Sequence, residues 1–308
     1  MGAGGVGGYY GGRLATAGHE VCFVARGPHL HALRRHGLRV EGVQNSFHLP
    51  QVAATDDPLS FGPADLVIVA VKAYDLPRAI ESIKPLAGSE TTVIPLLNGV
   101  DAALQIGRAI APERVMGGLA YVSASVAEPG VIHQVSSFDR ILIGELNRPA
   151  AGRGTVIESA LRDAGIDARQ VDDITRELWR KYLFIAAASG VAALTGATMG
   201  TVLGDPDTRT LFIGCMNEVK ALARHQGIGL PENICQETLA FAEAAGPDMK
   251  PSMLLDLEQG RPLELEALNG TAARLGRQLG VATPVNQFIY SALKFRAGGE
   301  AKPTTTTT

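Results

Sequence analysis

Six residues at the start of the chain, Gly2-Ala3-Gly4-Gly5-Val6-Gly7, have the make-up of a phosphate-binding turn. Gly2, Gly4 and Gly7 fit G-x-G-x-x-G. In that pattern the first glycine permits a tight turn, the second lets a pyrophosphate approach the backbone, and the third lets a helix pack closely on a strand. Free N–H groups at the helix start then face the phosphate. A purely structural glycine turn is the plain alternative, but a helix, a strand and a ribose-reading residue follow here in the right order. That residue is Arg26, in Ala25-Arg26-Gly27, at the position where an NAD-binding chain carries Asp or Glu. A guanidinium pairs with a 2′-phosphate that a carboxylate repels, so NADPH is the expected cofactor unless Arg26 is an ordinary solvated loop residue. Asn98 stands directly after an apolar strand, where open α/β sheets bind ligands; a turn-forming Asn-Gly is its alternative.

These residues need elements to hold them. Apolar β-branched runs alternate with helical patterns in the first half of the chain, as in βαβ units around a parallel sheet. Strands are expected at His19–Ala25, Asp65–Val71 and Thr92–Leu97, with Val131–Val135 and Arg140–Gly144 as antiparallel additions. Pro95 argues for a sheet edge or a strand end. A helix is expected over Val6–Ala17, capped by Gly18. From about Ile174 the pattern turns helical, with helices at Glu177–Ala188, Gln236–Ala245 and Leu263–Leu279 and a last one after Thr283-Pro284. The expected fold is therefore α/β: an N-terminal Rossmann-type, doubly wound domain over 1–170, then an all-helical domain over 171–300. The tail 301–308 is low-complexity and expected to be disordered. The glycine motif also calls for a strand before it, and the numbering begins one residue before Gly2. The first strand is thus expected to be missing from the recorded start.

Composition narrows the function classes. Of 308 residues, 46% are hydrophobic and 19% charged, which suits a globular protein with full cores. A net charge of -3 and the lack of a Lys/Arg run give no drive toward nucleic acid. No apolar stretch reaches the roughly 18 residues of a membrane span, and the start lacks the pattern of a signal peptide. Cys22, Cys215 and Cys235 have no metal-type spacing, so reduced thiols, no metal and a cytoplasmic setting are expected. His133 reads as a strand-surface residue, and no histidine sits where a dehydrogenase acid would.

Over nearly its whole length the chain resembles the ketopantoate reductase (2-dehydropantoate 2-reductase) family. The resemblance rests on Gly2–Gly8, Arg26, Val71-Lys72-Ala73, Asn98-Gly99, Trp179-Arg180-Lys181, Ser252–Asp256, Glu264 and Asn269-Gly270, in order and spacing. It implies a cleft between two domains in which NADPH reduces a 2-keto acid, ketopantoate to pantoate in pantothenate biosynthesis. Lys181 is then the catalytic cation, Glu264 a partner for it or for substrate, Ser252 a substrate ligand, Asn98 a neighbour of both nicotinamide and substrate, and Lys72 a cofactor contact. Hydride addition to a ketone builds negative charge on oxygen, which an ammonium stabilises and protonates. Lys181 sits where a charged helix segment turns apolar, and partial burial there lowers a lysine's pKa. A snorkelling Lys181 and a solvated Glu264 are the plain alternatives.

The departures bear on substrate identity. Asparagines that the family often carries four and eight residues after the lysine are here Ile185 and Ser189, and a further one aligns with Met199. Ser189 keeps a hydroxyl for substrate, but the pocket is more apolar. Related oxidoreductases acting on another 2-keto or 3-hydroxy acid, and a non-catalytic NADPH-binding sensor, stay open. The helical domain is expected to support a homodimer.

Overall fold

The computed structural model describes residues 1–43, 45–146 and 152–299. The low-complexity tail at 301–308 lies outside the described residues. The chain divides into two compact units, one of residues 1–97 and 101–175, the other of 98–100 with everything from Arg176 on.

The first unit is built from strands and helices. Its strands are β1 (Cys22–Val24), β2 (Leu38–Gly42), β3 (Phe47–Leu49), β4 (Ala53–Thr55), β5 (Leu66–Val69), β6 (Thr92–Pro95), β7 (Gly117–Tyr121), β8 (Ala124–Glu128), β9 (Val131–Gln134), β10 (Arg140–Gly144) and β11 (Ala168–Gln170). Its helices are α1 (Gly5–Thr16), α2 (Gly27–His36), α3 (Leu76–Ile83), α4 (Ala102–Ile110) and α5 (Gly152–Asp163). β1 pairs parallel to β4, and β5 parallel to β6. Between these pairs run Met1–Ala3. Gly2 and Ala3 N–H donate to Val24 O, while Met1 O accepts from Ala70 N. On the far side β6 passes to β7 through a parallel bridge from Val93 to Val115. β7 is antiparallel to β10, and β10 parallel to β11. The backbone groups flanking the glycine turn are thus paired, and the strands keep the order of a Rossmann-like sheet around Met1–Ala3.

Alternation along the strands explains why both faces are covered. Val67, Val69 and Val93 pack with Leu76, Ile83 and Ile106 from α3 and α4. Ile94 and Leu96 point the other way, into a cluster with Tyr10 of α1 and Leu30 and Leu33 of α2. Successive side chains on a strand point to opposite faces, so an unbroken apolar run buries two layers. A second sheet, ordered β3-β2-β9-β8, joins the first half of the unit to the second. There β9 is parallel to β2 and antiparallel to β8, so the strand expected over 131–135 belongs to a mixed sheet. Pro95 ends β6, as its missing N–H requires.

Among the described residues the regular elements of the second unit are helices: α6 (Ile174–Thr195, entering from the first unit), α7 (Met199–Gly204), α8 (Pro206–His225), α9 (Ile234–Ala244), α10 (Ser252–Glu258), α11 (Thr271–Leu279) and α12 (Pro284–Leu293). Asp205 caps α8, accepting from the N–H groups of Asp207 and Thr208 at 3.1 and 2.9 Å. Tyr182, Leu183 and Ala187 of α6 meet Phe212 and Met216 of α8, Leu265, Leu268 and Ile289 in one core. The single helix expected over Leu263–Leu279 is broken: Leu263–Leu265 precede a π-helical turn at Glu266–Gly270, and α11 starts only at Thr271. Alternating leucines flanking Glu264 do not reveal the extra residue that a π turn takes up.

Candidate active site

In the sheet unit the glycine turn joins Met1 to α1. Gly2 has φ +86, a conformation that L side chains rarely adopt, and a Cβ there would lie 2.6 Å from the Val71 side chain. A Cβ on Gly7 would fall 2.1 Å from Gly2 O, so α1 can approach the turn only with glycine at that place. A Cβ on Gly4, by contrast, would meet nothing within 4 Å. Gly4 therefore presents bare backbone to open space at the N-terminus of α1, whose first turn carries no acidic side chain. The three glycines thus fit a bound pyrophosphate in three different ways. Ala3 is buried, Val6 is half-buried, and Gly5 packs against the backbone of Ala124.

Arg26 follows β1 and precedes α2 in extended backbone. Its guanidinium donates to Asp75 at 3.0 Å, and both side chains are partly exposed. Lys72 stands at the head of the short turn Ala73–Asp75, beyond the end of β5. Asp75 thus lies on the cation expected to read the ribose. Nothing in the sequence singles out Asp75, because the two partners are far apart along the chain.

In the helical unit, Lys181 lies on α6 just before Tyr182, whose buried ring packs edge-on against buried Trp179. Burial of its ammonium pulls the pKa from 10.5 down to about 8, while the charge of Glu264 pushes it back up. Glu264 is only 5% exposed, which sets aside the solvated alternative, and it accepts from Asn98 Nδ2 at 3.3 Å. Asn98 leads a short excursion, Asn98–Val100, that clusters with the helical unit. Gly99, at φ +97, would bring a Cβ to 3.0 Å from Ala267 O, so the Asn98-Gly99 turn sits close against the π turn.

Ser189, buried, follows Lys181 by two helical turns, with Ile185 between them on the same face. Ser252 is exposed at the first position of α10. Met199 is fully buried in the helical core. The structure thus groups Lys181, Glu264 and Asn98, with Ser189 further along the same helix and Ser252 elsewhere in the same unit. Gly2–Gly7, Arg26 and Lys72 belong to the sheet unit. Among the described residues no group of three or more His, Cys, Asp and Glu could hold a metal ion, and no helix is long and apolar enough to cross a membrane.

Buried polar contacts that the sequence does not reveal surround this group. Tyr182 Oη donates to Leu268 O at 2.7 Å, and Asn269 Nδ2 donates to Ala186 O at 3.1 Å. Asn269-Gly270 is visible as a motif, but nothing in the sequence shows that its amide faces α6.

The chain matches known proteins along almost its full length. The family model described as "Ketopantoate reductase PanE/ApbA" matches residues 1–148, and "Ketopantoate reductase PanE/ApbA C terminal" matches 173–297. A 2-dehydropantoate 2-reductase of Mesorhizobium japonicum is 33% identical over 316 residues, covering 96% of this chain and 95% of that protein. YkpB of Bacillus subtilis, described as an uncharacterized oxidoreductase, is 31% identical and is covered at 96% on both sides. The crystal structure of 2-dehydropantoate 2-reductase from Geobacter metallireducens superposes with a TM-score of 0.90 at 33% identity, over 96% of this chain and 98% of that one. With the two family models spanning both units, the chain belongs to the ketopantoate reductase family, whose members are pyridine-nucleotide-dependent oxidoreductases.

Proposed function

We propose that this protein reduces a 2-keto acid to the 2-hydroxy acid with NADPH, and that 2-dehydropantoate, reduced to pantoate for pantothenate biosynthesis, is the first substrate to test. The observation that carries the proposal is the grouping of a desolvated Lys181 with buried Glu264 and half-buried Asn98. Bound NADPH would supply the hydride to the keto carbon, held by the turn Gly2–Gly7, Arg26, Lys72 and Asn98. Lys181 holds a proton at Nζ, stabilises the charge that grows on the carbonyl oxygen and passes that proton to it. A lysine whose pKa lies near 8 gives up a proton at neutral pH far more readily than an exposed one. Glu264 keeps Lys181 charged in its desolvated place and anchors Asn98, whose amide then has a fixed direction for substrate. The hydroxyls of Ser189 and Ser252 are the proposed donors to the rest of the substrate.

A second reading, with a different 2-keto or 3-hydroxy acid, is favoured by Ile185 and by Met199, whose side chain is buried in the core. We also propose a cytoplasmic homodimer, with exposed Phe241 and Phe288 of the helical unit as available apolar surface. The test is NADPH oxidation across a panel of 2-keto acids that includes 2-dehydropantoate. Turnover with 2-dehydropantoate well above the others supports the first reading, preference for another acid supports the second, and no turnover with any rejects both. Lys181→Ala should cut kcat by at least about a hundredfold with NADPH binding retained; near-normal kcat removes Lys181 from the mechanism.

A further inference from the structure

The geometry points to Tyr182 and Asn269 as positioning residues that lock the π turn after Glu264 onto the helix carrying Lys181, and so set the carboxylate against the lysine. The inference rests on the roles proposed above for Lys181 and Glu264. A π turn is rare, concentrates at functional sites, and persists where surrounding contacts hold it. At Glu266–Gly270 two such contacts join the turn to one helix, one donated in each direction. Tyr182, next to Lys181 and fully buried, donates its hydroxyl to Leu268 O at 2.7 Å. Asn269, also fully buried, donates to Ala186 O at 3.1 Å. Both anchor points lie on α6 within five residues of Lys181.

The lock extends across the helical core. Asn269 Nδ2 also donates to Asn286 Oδ1 at 3.0 Å, and Asn286 Nδ2 donates to Glu218 Oε2 at 2.7 Å. Glu218 accepts from the N–H groups of Val285 and Asn286 at 2.7 and 2.9 Å, which closes the start of α12. Cys215 adds its thiol to Asn286 Oδ1 at 3.2 Å. Meanwhile Asn269 Oδ1 is buried with no hydrogen-bond partner, and a Cβ on Gly190 would lie 2.6 Å from it. An orphaned carbonyl oxygen in a core is a cost, and an apolar side chain of the same volume would avoid it. Stability alone is therefore a poor account of Asn269, whereas fixing the turn that follows Glu264 is a direct one.

The test is a kinetic double-mutant cycle. Tyr182→Phe keeps the ring and its edge contact with Trp179 and removes only the hydroxyl. It should lower kcat roughly fivefold to tenfold, with the KM for NADPH unchanged. In a Glu264→Gln background the same change should cost nothing further, because its effect passes through the carboxylate. The same fold loss in both backgrounds, or no loss in either, overturns the inference. Asn269→Leu is the companion variant should Tyr182→Phe fold poorly: slower turnover with melting temperature at or above the parent's supports positioning, and unchanged turnover overturns it. If the parent reduces no keto acid, the proposed function has failed. Positioning is then read from amide exchange over residues 264–270, which should quicken in Tyr182→Phe while α8 keeps its protection; unchanged exchange over 264–270 overturns it.

Discussion

Two opposed effects set the acidity of Lys181, and separating them yields a signed prediction. Burial lowers the pKa from 10.5 to about 8, and Glu264 keeps it from falling further. With Lys181 as the proposed proton donor the protonated form is the reactive one, so kcat/KM should be level below about pH 8 and fall about tenfold per pH unit above it. Glu264→Gln removes the charge that favours the ammonium, so this basic limb should move to lower pH. A limb that stays in place in the pH profile of Glu264→Gln would detach the carboxylate from the titration. The proposed cofactor choice would turn on a second pair, Arg26 and Asp75, which are joined by an ion pair. Arg26→Ala should raise the KM for NADPH far more than that for NADH. Asp75→Asn frees the guanidinium for a 2′-phosphate and removes a carboxylate that would repel it, so kcat/KM for NADPH should rise relative to NADH; an unchanged ratio of the two would leave Asp75 without a part in the choice. Arg26 is visible from its place after a strand, but Asp75 is not, because only the fold brings residues 26 and 75 together.

The glycine turn lets the element's two jobs, folding and binding, be separated by substitution. Gly4→Ala adds a methyl that meets no protein atom, so it should cost about 1 kcal/mol of stability or less while raising the KM for NADPH steeply. Gly7→Ala presses on Gly2 O and should cost ~1–3 kcal/mol before any effect on binding is counted. Melting temperatures beside cofactor titrations of the two variants check this, and equal behaviour would mean that Gly4 does not face the phosphates. The elements also show where sequence patterns carry information. The long apolar runs behind β5 and β6 and the charged-to-apolar change along α6 are strong local signals. β3, β4 and β11 are three residues each and partly exposed, too short for any period to emerge. The π turn defeats the pattern for a different reason: its extra residue is held by Tyr182 and Asn269 through tertiary contacts, and no local preference encodes it. Lys181, Glu264 and Asn98 could therefore be proposed as site residues from the sequence, while the contacts that hold the turn after Glu264 could not.

At the scale of the molecule the two units carry separate cores, and the proposed ligands divide between them. Gly2–Gly7, Arg26 and Lys72 lie in the sheet unit, while Lys181, Glu264, Ser189 and Ser252 lie in the helical one. A ligand that binds only the native form stabilises it by about 2.7 kcal/mol at a hundred times its Kd. NADPH alone should therefore slow amide exchange first in α1, β1 and β5, which surround the glycine turn, and leave the centre of α8 near its resting rate. Adding a keto acid that is a substrate, with NADP+ in place of NADPH so that no hydride passes, should then protect α6 and residues 264–270, which carry the proposed proton donor and its partner. Each segment reports on its own ligand, so the order of protection tests the division of labour without turnover. Equal slowing of α1 and α8 by NADPH alone would show that the cofactor's binding energy is spread over both cores, and the assignment of its phosphates to the sheet unit would then need support from the Gly4 and Arg26 variants.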